Sequence, residues 1–318
     1  MILAGIDEAG LGPPLGPLAT ARAVLETPDD WDPAAPWDRL SRSVVKRAAR
    51  TDPRLVVDDS KAVHAARGVS GLERTVLVFL HASGKAFFFA VWAEDEESPN
   101  AAFPYPWHAG CFDSLPFFPE NRALLESPQL FKPILDDLAA TGAAVVEIAV
   151  RLAGPIALNK RFASGENKNL ALLRETGRHL SRIAASAGEK PSLVIVDKQG
   201  GRNSYLPFLS KQFPGSWISA EVEGADASRY RLSPNGGGMR LSFQPRAEAF
   251  SFPTALASMA AKYARELAMA AFNRWFCERI PGIRPTAGYP LDAKRWLSEA
   301  DSFFTESGIA RDRVVRAR

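Results

Sequence analysis

The chain has 318 residues, 46% of them hydrophobic and 24% charged, with a formal net charge of +3. These proportions are those of ordinary folded domains and exclude a chain disordered throughout. A nearly balanced charge, at a pI near 8.9, excludes a uniformly basic surface, so any nucleic-acid contact must come from positive charge gathered on one face.

Met1 leads directly into an apolar run with no basic segment before it, so no signal peptide is expected. No apolar stretch reaches bilayer length. Cys111 and Cys277 lack metal-ligand spacing. A reducing, cytoplasmic setting is the expectation, with a single disulfide the other reading.

Residues 1–6 predict a strand that delivers two adjacent carboxylates, Asp7 and Glu8, to the turn Gly10-Leu11-Gly12-Pro13. A strand ending in acids and then in glycines can hold metal ligands beside exposed backbone N–H groups, because glycine lets main chain approach a ligand closely. The plainer alternative is a pair of solvated acids before a turn. Residues 18–25 predict a second strand, and residues 26–54, rich in Pro, Asp and Arg, read as a surface excursion. Leu72, Val76, Phe79 and Leu80 recur at helical spacing, although the Val and Phe content there is equally compatible with a strand. Residues 85–92 predict a strand.

Residues 94–142 begin with an acidic run and continue into Phe103-Pro104-Tyr105-Pro106-Trp107 and Leu115-Pro116-Phe117-Phe118-Pro119. They read as an insertion whose aromatics pack locally. A strand over 143–152 follows. Residues 166–187 predict an amphipathic helix with Leu170, Leu173, Gly177, Leu180, Ile183 and Ala184 on its apolar face. Residues 193–196 form a continuous apolar run of the buried-strand type, ending at Asp197. Strands over 217–222, 230–232 and 239–243 are predicted, the last two joined by a Gly-rich turn into a hairpin. A long Ala-rich helix over 254–276 presents Ala257, Ala260, Ala261 and Ala264, which demand very close packing. A last helix is predicted over 292–302, and the tail residues Arg311, Arg313, Arg316 and Arg318 read as a solvated end. The order of these elements is that of an α/β domain.

The segment 5–17, Gly-Ile-Asp-Glu-Ala-Gly-Leu-Gly-Pro-Pro-Leu-Gly-Pro, resembles the opening signature of the type 2 ribonucleases H, whose first strand carries Asp-Glu before Gly-Arg-Gly-Pro. The family's arginine is Leu11 here. Asp59-Ser60-Lys61 resembles the family's Asp-Ser-Lys beside the substrate groove, and Ala287-Gly288-Tyr289-Pro290 its Gly-Tyr-Pro segment. The resemblance implies a ribonuclease H-like mixed sheet with helices on both faces, plus insertions and a C-terminal helical part. It places a catalytic domain over 1–270, insertions near 26–54, 94–142 and 223–243, and a helical extension over 271–318.

The same resemblance implies catalytic, metal-ligating acids at Asp7, Glu8, Asp197 and a fourth position. Counting back from Lys262 by the family's spacing reaches Glu248, which is favoured over its rival Asp226. Mg²⁺ or Mn²⁺, two ions with substrate bound, is the implied cofactor, and all-oxygen ligands suit it. Gly10, Leu11, Gly12, Ser60, Lys61, Lys198, Lys262 and Tyr289 are the implied substrate-binding residues. Lys168 and the helix face Arg174, Arg178 and Arg182 are further candidate phosphate contacts. The implied activity is hydrolysis of the RNA strand of RNA–DNA hybrids, or at ribonucleotides embedded in duplex DNA, by a monomer with no membrane contact. Leu11, Lys198 and Glu248 depart from the family pattern. They keep two alternatives open: a catalytically impaired nucleic-acid or partner-binding homologue, and a metal nuclease with another structured substrate. His64, His81, His108 and His179 lack zinc-site spacing, and Ser60-Lys61 lacks the partners of a serine nucleophile.

Overall fold

The computed structural model describes residues 1–47, 49, 51–84, 105–108, 117–122, 131–233 and 238–317. In chain order the elements are β1 (Ile2–Ala9), β2 (Leu18–Glu26), α1 (Ala35–Arg39), β3 (Val44–Val45), β4 (Leu55–Val56), α2 (Ser60–Ala82) and α3 (Lys132–Thr141). They continue as β5 (Ala144–Ala153), α4 (Pro155–Ala163), α5 (Lys168–Ala187), β6 (Ser192–Asp197), α6 (Leu206–Gln212), β7 (Trp217–Glu223), β8 (Ser228–Ser233) and β9 (Met239–Gln244). Helices α7 (Phe252–Cys277), α8 (Pro290–Glu299) and α9 (Asp301–Ser307) complete the described chain.

A seven-stranded mixed sheet runs β5-β2-β1-β6-β9-β8-β7. β1 is antiparallel to β2 and parallel to β6, and β6 is parallel to β9. The predicted strand over 85–92 and the centre of the predicted hairpin turn, 234–237, lie outside the described residues.

The sheet is covered on both faces. Along β1, Ile2, Ala4 and Ile6 join Leu173, Leu180 and Ile183 of α5 and Leu209 of α6 in one core. On the other face Ala19, Ala21, Ala23 and Leu25 of β2 pack with α2 and the Ala-rich side of α7. Small residues on both partners let α7 lie very close to the sheet. The closest approach is at Gly5, where an added Cβ would overlap the backbone of Pro253 and Thr254. Ser251 caps this helix by accepting from the Thr254 N–H at 3.4 Å, and Pro253 occupies its first turn, where a missing N–H costs nothing.

Buried polar groups tie the layers together. Glu73 of α2, fully buried, accepts from the Phe117 and Phe118 N–H groups, from Asn121, and from the Tyr263 hydroxyl of α7 at 2.6 Å. On the opposite face Glu175 gathers Arg151, Arg161 and Arg178 at 2.8–3.0 Å. Those guanidiniums overcome its burial and hold its carboxyl at about 2.

Several elements differ from their sequence expectations. Residues 72–80 are helical, the first of the two readings left open. The stretch 26–54 is not merely surface: Trp31, Leu40 and Val44 reach the main core from among its polar residues. Leu170, expected on the apolar face, is 39% exposed, while its neighbours Ala171 and Leu172 are the residues of that first turn that enter a core. The C-terminal helix is two helices, broken at Ala300. Of the aromatic insertion, Phe117 and Phe118 pack on each other. Tyr105 and Trp107 instead join Phe272, Phe276 and Trp296 in a core formed with α7, α8 and α9. The expectation of a fully solvated basic tail is also corrected: Arg316 is 6% exposed. Among the described residues no helix is long and apolar enough to cross a membrane.

The Gly5 contact generates a stability prediction. In Gly5→Ala the new methyl meets helix backbone, which cannot swing aside, so unfolding in urea should show a loss of about 1–3 kcal/mol. Gly12→Ala, where the added Cβ meets open space, should stay within about 0.5 kcal/mol of wild type. Equal, small losses in both would show that α7 does not rest on β1.

Candidate active site

The parallel pairing of β1 with β6 continues Ile6 opposite Val196, so Asp7 and Asp197 follow side by side at the same sheet edge. Side chains from parallel strands that end together converge in this way. One ligand oxygen from each of Asp7, Glu8 and Asp197 lies within 4.8 Å of the others. Glu248 comes from the turn after β9, where Arg246 takes a left-handed conformation, φ 55°. A non-glycine residue there costs roughly 1–2 kcal/mol. The Ala247 N–H from the same turn donates to Asp197 Oδ1 at 3.1 Å, so the strained turn both carries one acid and orients another.

These residues line a cleft of about 310 Å³. Helix α7 supplies one wall with a stripe at helical spacing: Ser258, Lys262 and Arg265. The Glu8 N–H donates to Asp7 at 2.7 Å, and Ser258, whose hydroxyl bonds the Ser60 hydroxyl at 3.0 Å, stands beside Asp7 and opposes the rise of its carboxyl. The glycine turn 10–13 supplies another wall, and Asp59, Ser60 and Lys61 at the start of α2 a third. Asp59 caps α2 by accepting from the Lys61 N–H at 2.8 Å. Tyr289 closes the rim with a half-exposed ring, and the Arg265 guanidinium lies 5.9 Å from its centre.

The acids are held against their own charge. Burial, then the neighbouring Glu8 and Asp197, push the Asp7 carboxyl well above its ordinary range. Burial and Asp197 raise Glu8 to about 7. Burial raises Asp197 and Glu248 as well, with Lys61 the nearby cation opposing both shifts. A cluster in which every carboxylate is raised by burial, with Lys61 only partly opposing the rise at Glu8, Asp197 and Glu248, suits a divalent cation, which removes the repulsion at its source.

The structure brings Asp7, Glu8, Asp197, Glu248, Gly10, Leu11, Gly12, Ser60, Lys61, Lys262 and Tyr289 to this cleft. It does not bring Lys198 there: its ammonium turns to the Gly224 and Ala225 carbonyls in the β7–β8 turn. Those carbonyls satisfy the ammonium away from the acids, so Lys198, expected at the substrate, does not line this cleft. Asp226, in the same exposed turn, does not line the cleft either. Lys262 is ion-paired with Glu266. Leu11 packs toward Leu18, Leu158 and Phe162, an apolar cluster beside the turn. Of the helix face, Arg174 pairs with Glu166 and Arg178 with Glu175. Asp59, quoted in the Asp-Ser-Lys match, lines the cleft as well, whereas Ser258 and Arg265 were not singled out from the sequence as site residues. The spacing from Ser258 to Lys262 and Arg265 was the available signal, but it mattered only once the helix was known to lie along β1.

No protein-family model matches the chain, and no curated protein matches it. Solved structures do. A mutant of Bst-RNase HIII aligns with a TM-score of 0.50 at 15% identity, covering 99% of this chain and 65% of that one. Ribonuclease HII of Archaeoglobus fulgidus, solved in a complex with PCNA, aligns at 0.45 and 17%, covering 100% and 95%. Ribonuclease H2 of Pyrococcus horikoshii aligns at 0.44 and 16%, covering 99% and 92%. The chain therefore has the fold of a type 2 ribonuclease H: the mixed sheet, the helices on both its faces and the C-terminal helical part.

The raised carboxyls give a pH prediction for the metal-free protein. Acids with folded values above their unfolded ones contribute stability that is full below about pH 4 and is lost as pH rises through the folded values, for Glu8 about 7. Between pH 5 and pH 8 the melting temperature in EDTA should therefore fall through this cluster. Asp7→Asn removes one charge and should raise stability at pH 8 by about 1–3 kcal/mol relative to wild type, with a smaller gain at pH 5. An equal effect at both pH values would contradict the crowding of charge in the cleft.

Proposed function

We propose that the chain is a divalent-metal-dependent endonuclease that hydrolyses the RNA strand of RNA–DNA hybrids or cuts at ribonucleotides embedded in duplex DNA. The observation that carries this reading is the meeting of Asp7, Glu8, Asp197 and Glu248 beside a glycine turn in one cleft. An all-carboxylate donor set suits Mg²⁺ or Mn²⁺, which prefer oxygen and retain waters for the reaction. Asp7, deepest and flanked by Glu8 and Asp197, would hold ions on both sides, with Glu8, Asp197 and Glu248 completing their shells. Ions held there would lower the pKa of an attacking water and stabilise the departing 3′ oxygen.

The remaining work falls to the chain's own groups. The Glu8 N–H fixes Asp7 by a hydrogen bond, so this carboxylate is oriented before substrate arrives. Lys61 and Arg265 carry the positive charge that would meet the phosphates. Lys262 adds charge already shared with Glu266. The N–H groups of Leu11 and Gly12 have no acceptor among the described residues, so they remain donors for a ribose hydroxyl or phosphate oxygen of a bound strand. The exposed ring of Tyr289 offers a face on which a sugar or base can pack.

The test is incubation with Mg²⁺ or Mn²⁺ and duplexes holding zero, one or several ribonucleotides. Cleavage should require metal and at least one ribonucleotide. Asp197→Asn should lower kcat at least about 100-fold with the circular dichroism spectrum unchanged. Equal cutting of the all-deoxy duplex would favour a nuclease of different specificity. Tight duplex binding with no cutting by either metal would favour a non-catalytic homologue.

A further inference from the structure

The chain's whole formal excess of charge sits in one stretch. Residues 46–67 hold six Lys and Arg against three Asp, an excess equal to the +3 of the entire chain, so the other residues balance. The three acids are already engaged or enclosed. Asp52 is taken by Arg54 at 2.7 Å, Asp59 accepts from the Lys61 N–H at 2.8 Å as the cap of α2, and Asp58 is buried.

The fold carries this stretch to the edge of the carboxylate cleft. Lys46 follows β3, lies 4.6 Å from the centre of the Trp37 ring and donates to the Ala249 carbonyl, one residue beyond Glu248. Arg47 Nε reaches Asp58 Oδ2 at 3.4 Å, one residue before Asp59, which lines the cleft. Each of these two cations is thus tied within one residue of a cleft-lining acid. Lys61 lines the cleft itself, and His64 and Arg67 follow it along α2 at intervals of three, the spacing of surface neighbours on a helix. Arg67 Nη2 donates back to the Ala49 carbonyl at 2.7 Å, which joins the excursion to the start of α2.

Helix α2 is broken at Gly68, φ 68° and ψ −171°. Beyond the break Leu72 and residues 76–80 enter the main core. Before it only Ser60 and Val63 are buried, and Ser60 is held by the Ser258 hydroxyl of α7. Residues 60–67 are therefore a separate two-turn helix laid on the cleft wall. Its cations are little used by the fold. The Arg47 side chain is 89% exposed, and an exposed pair of that length contributes little to stability. Arg67 spends one of its five N–H groups on Ala49, and among the described residues no carboxylate pairs with it or with Lys61. The arginines around Glu175 differ in being matched to a buried acid. A strand whose phosphate lies at the carboxylates must continue over what borders the cleft, and this border is the cationic one.

We propose that residues 46–67 form a basic ledge that takes the phosphates of a nucleic-acid strand where it leaves the cleft, with Arg47 and Arg67 as the contacts beyond Lys61. This rests on the nuclease reading above, which places a strand at the acids. The ledge senses backbone charge and neither base nor sugar, because guanidiniums on an open surface meet phosphate oxygens from outside the duplex. It makes the far end of the excursion over 26–54 part of the substrate surface.

The test is fluorescence anisotropy with a labelled duplex holding one ribonucleotide and with its all-deoxy counterpart, in EDTA so that both stay whole, over a range of salt concentrations. Wild type is compared with Arg47→Gln, with the double variant Arg47→Gln/Arg67→Gln, and with Lys211→Gln, an exposed cation of α6 on the opposite face of the sheet. The slope of log K against log salt should shrink by about one in the single variant and by about two in the double. The change should be the same on both duplexes, and Lys211→Gln should keep the wild-type slope. As the duplex is shortened one base pair at a time, the difference between wild type and double variant should vanish from one end only, because the ledge borders one side of the cleft. An unchanged slope in Arg47→Gln, or in a double variant that melts with wild type, would overturn the proposal. Weaker binding at an unchanged slope with a lowered melting temperature would overturn it too, as the mark of a structural role. So would a loss confined to the ribonucleotide duplex, which would assign these arginines to the sugar. Shrunken slopes beside a wild type that cuts neither duplex in Mg²⁺ or Mn²⁺ would uphold the ledge and overturn the nuclease reading, whereas ribonucleotide-dependent cutting with unchanged slopes would do the reverse.

Discussion

The site depends on one contact: the first turn of α7 resting on Gly5. Because Gly5 has no side chain, the helix axis runs along β1 at backbone distance. From that start the helix lays down its residues at intervals of four, four and three. Thr254 lies over Gly5, Ser258 stands beside Asp7, Lys262 enters the cleft, and Arg265 meets Gly10. Strand and helix are thus in register, and each step along β1 toward its acids is matched by a step along α7. A side chain at position 5 would lift the helix and with it the wall beside Asp7. The Ala content of both surfaces serves the same end, since larger residues would hold the layers farther apart.

The frame was legible in the sequence because it is written in local patterns. The apolar runs 1–6 and 193–196 end in acids, and the two strands they form lie side by side. The Ala-rich face of 254–276 announced close packing and found it. Glu248 was reached by counting from Lys262, and it lies in the cleft where Asp226 does not. What the sequence hid was long-range pairing. Nothing local marks Lys198 as a lysine held by the carbonyls of a turn some 26 residues on. Nothing separates Arg316 from Arg311 and Arg313 until the chain folds back on Leu15. Trp31, Leu40 and Tyr105 were hidden for a related reason: single apolar residues among prolines and charges have no period to read, yet each finds a core supplied by distant segments.

Charge is arranged in layers around the sheet edge. Four carboxylates, each raised by burial, crowd the front of the cleft. Arg265 lines the cleft beside the glycine turn and Arg316 lies against the turn's Gly10 and Gly16 carbonyls, both lowered by burial. The acids are not neutralised among themselves, and among the described residues no ion pair joins them to either arginine; Arg265 pairs with Glu266 instead. Such a separation is destabilising for the free protein and favourable for a bound state that brings cations to the acids and a polyanion across the turn. By contrast, Glu175 with its three arginines is satisfied internally and has the character of a structural ion network. The distinction between these two buried charge clusters is the physical reason for placing function at one and stability at the other.

The claim on which the rest stands is that Asp7, Glu8 and Asp197 form a divalent-cation site. It is tested most directly by anomalous diffraction from crystals grown in Mn²⁺. The account predicts a manganese peak in the cleft, with carboxylate oxygens of Asp7 and at least one of Glu8 and Asp197 within about 2.0–2.6 Å. The absence of a peak at millimolar Mn²⁺ and neutral pH, or ions bound only at other acids on the surface, would contradict it.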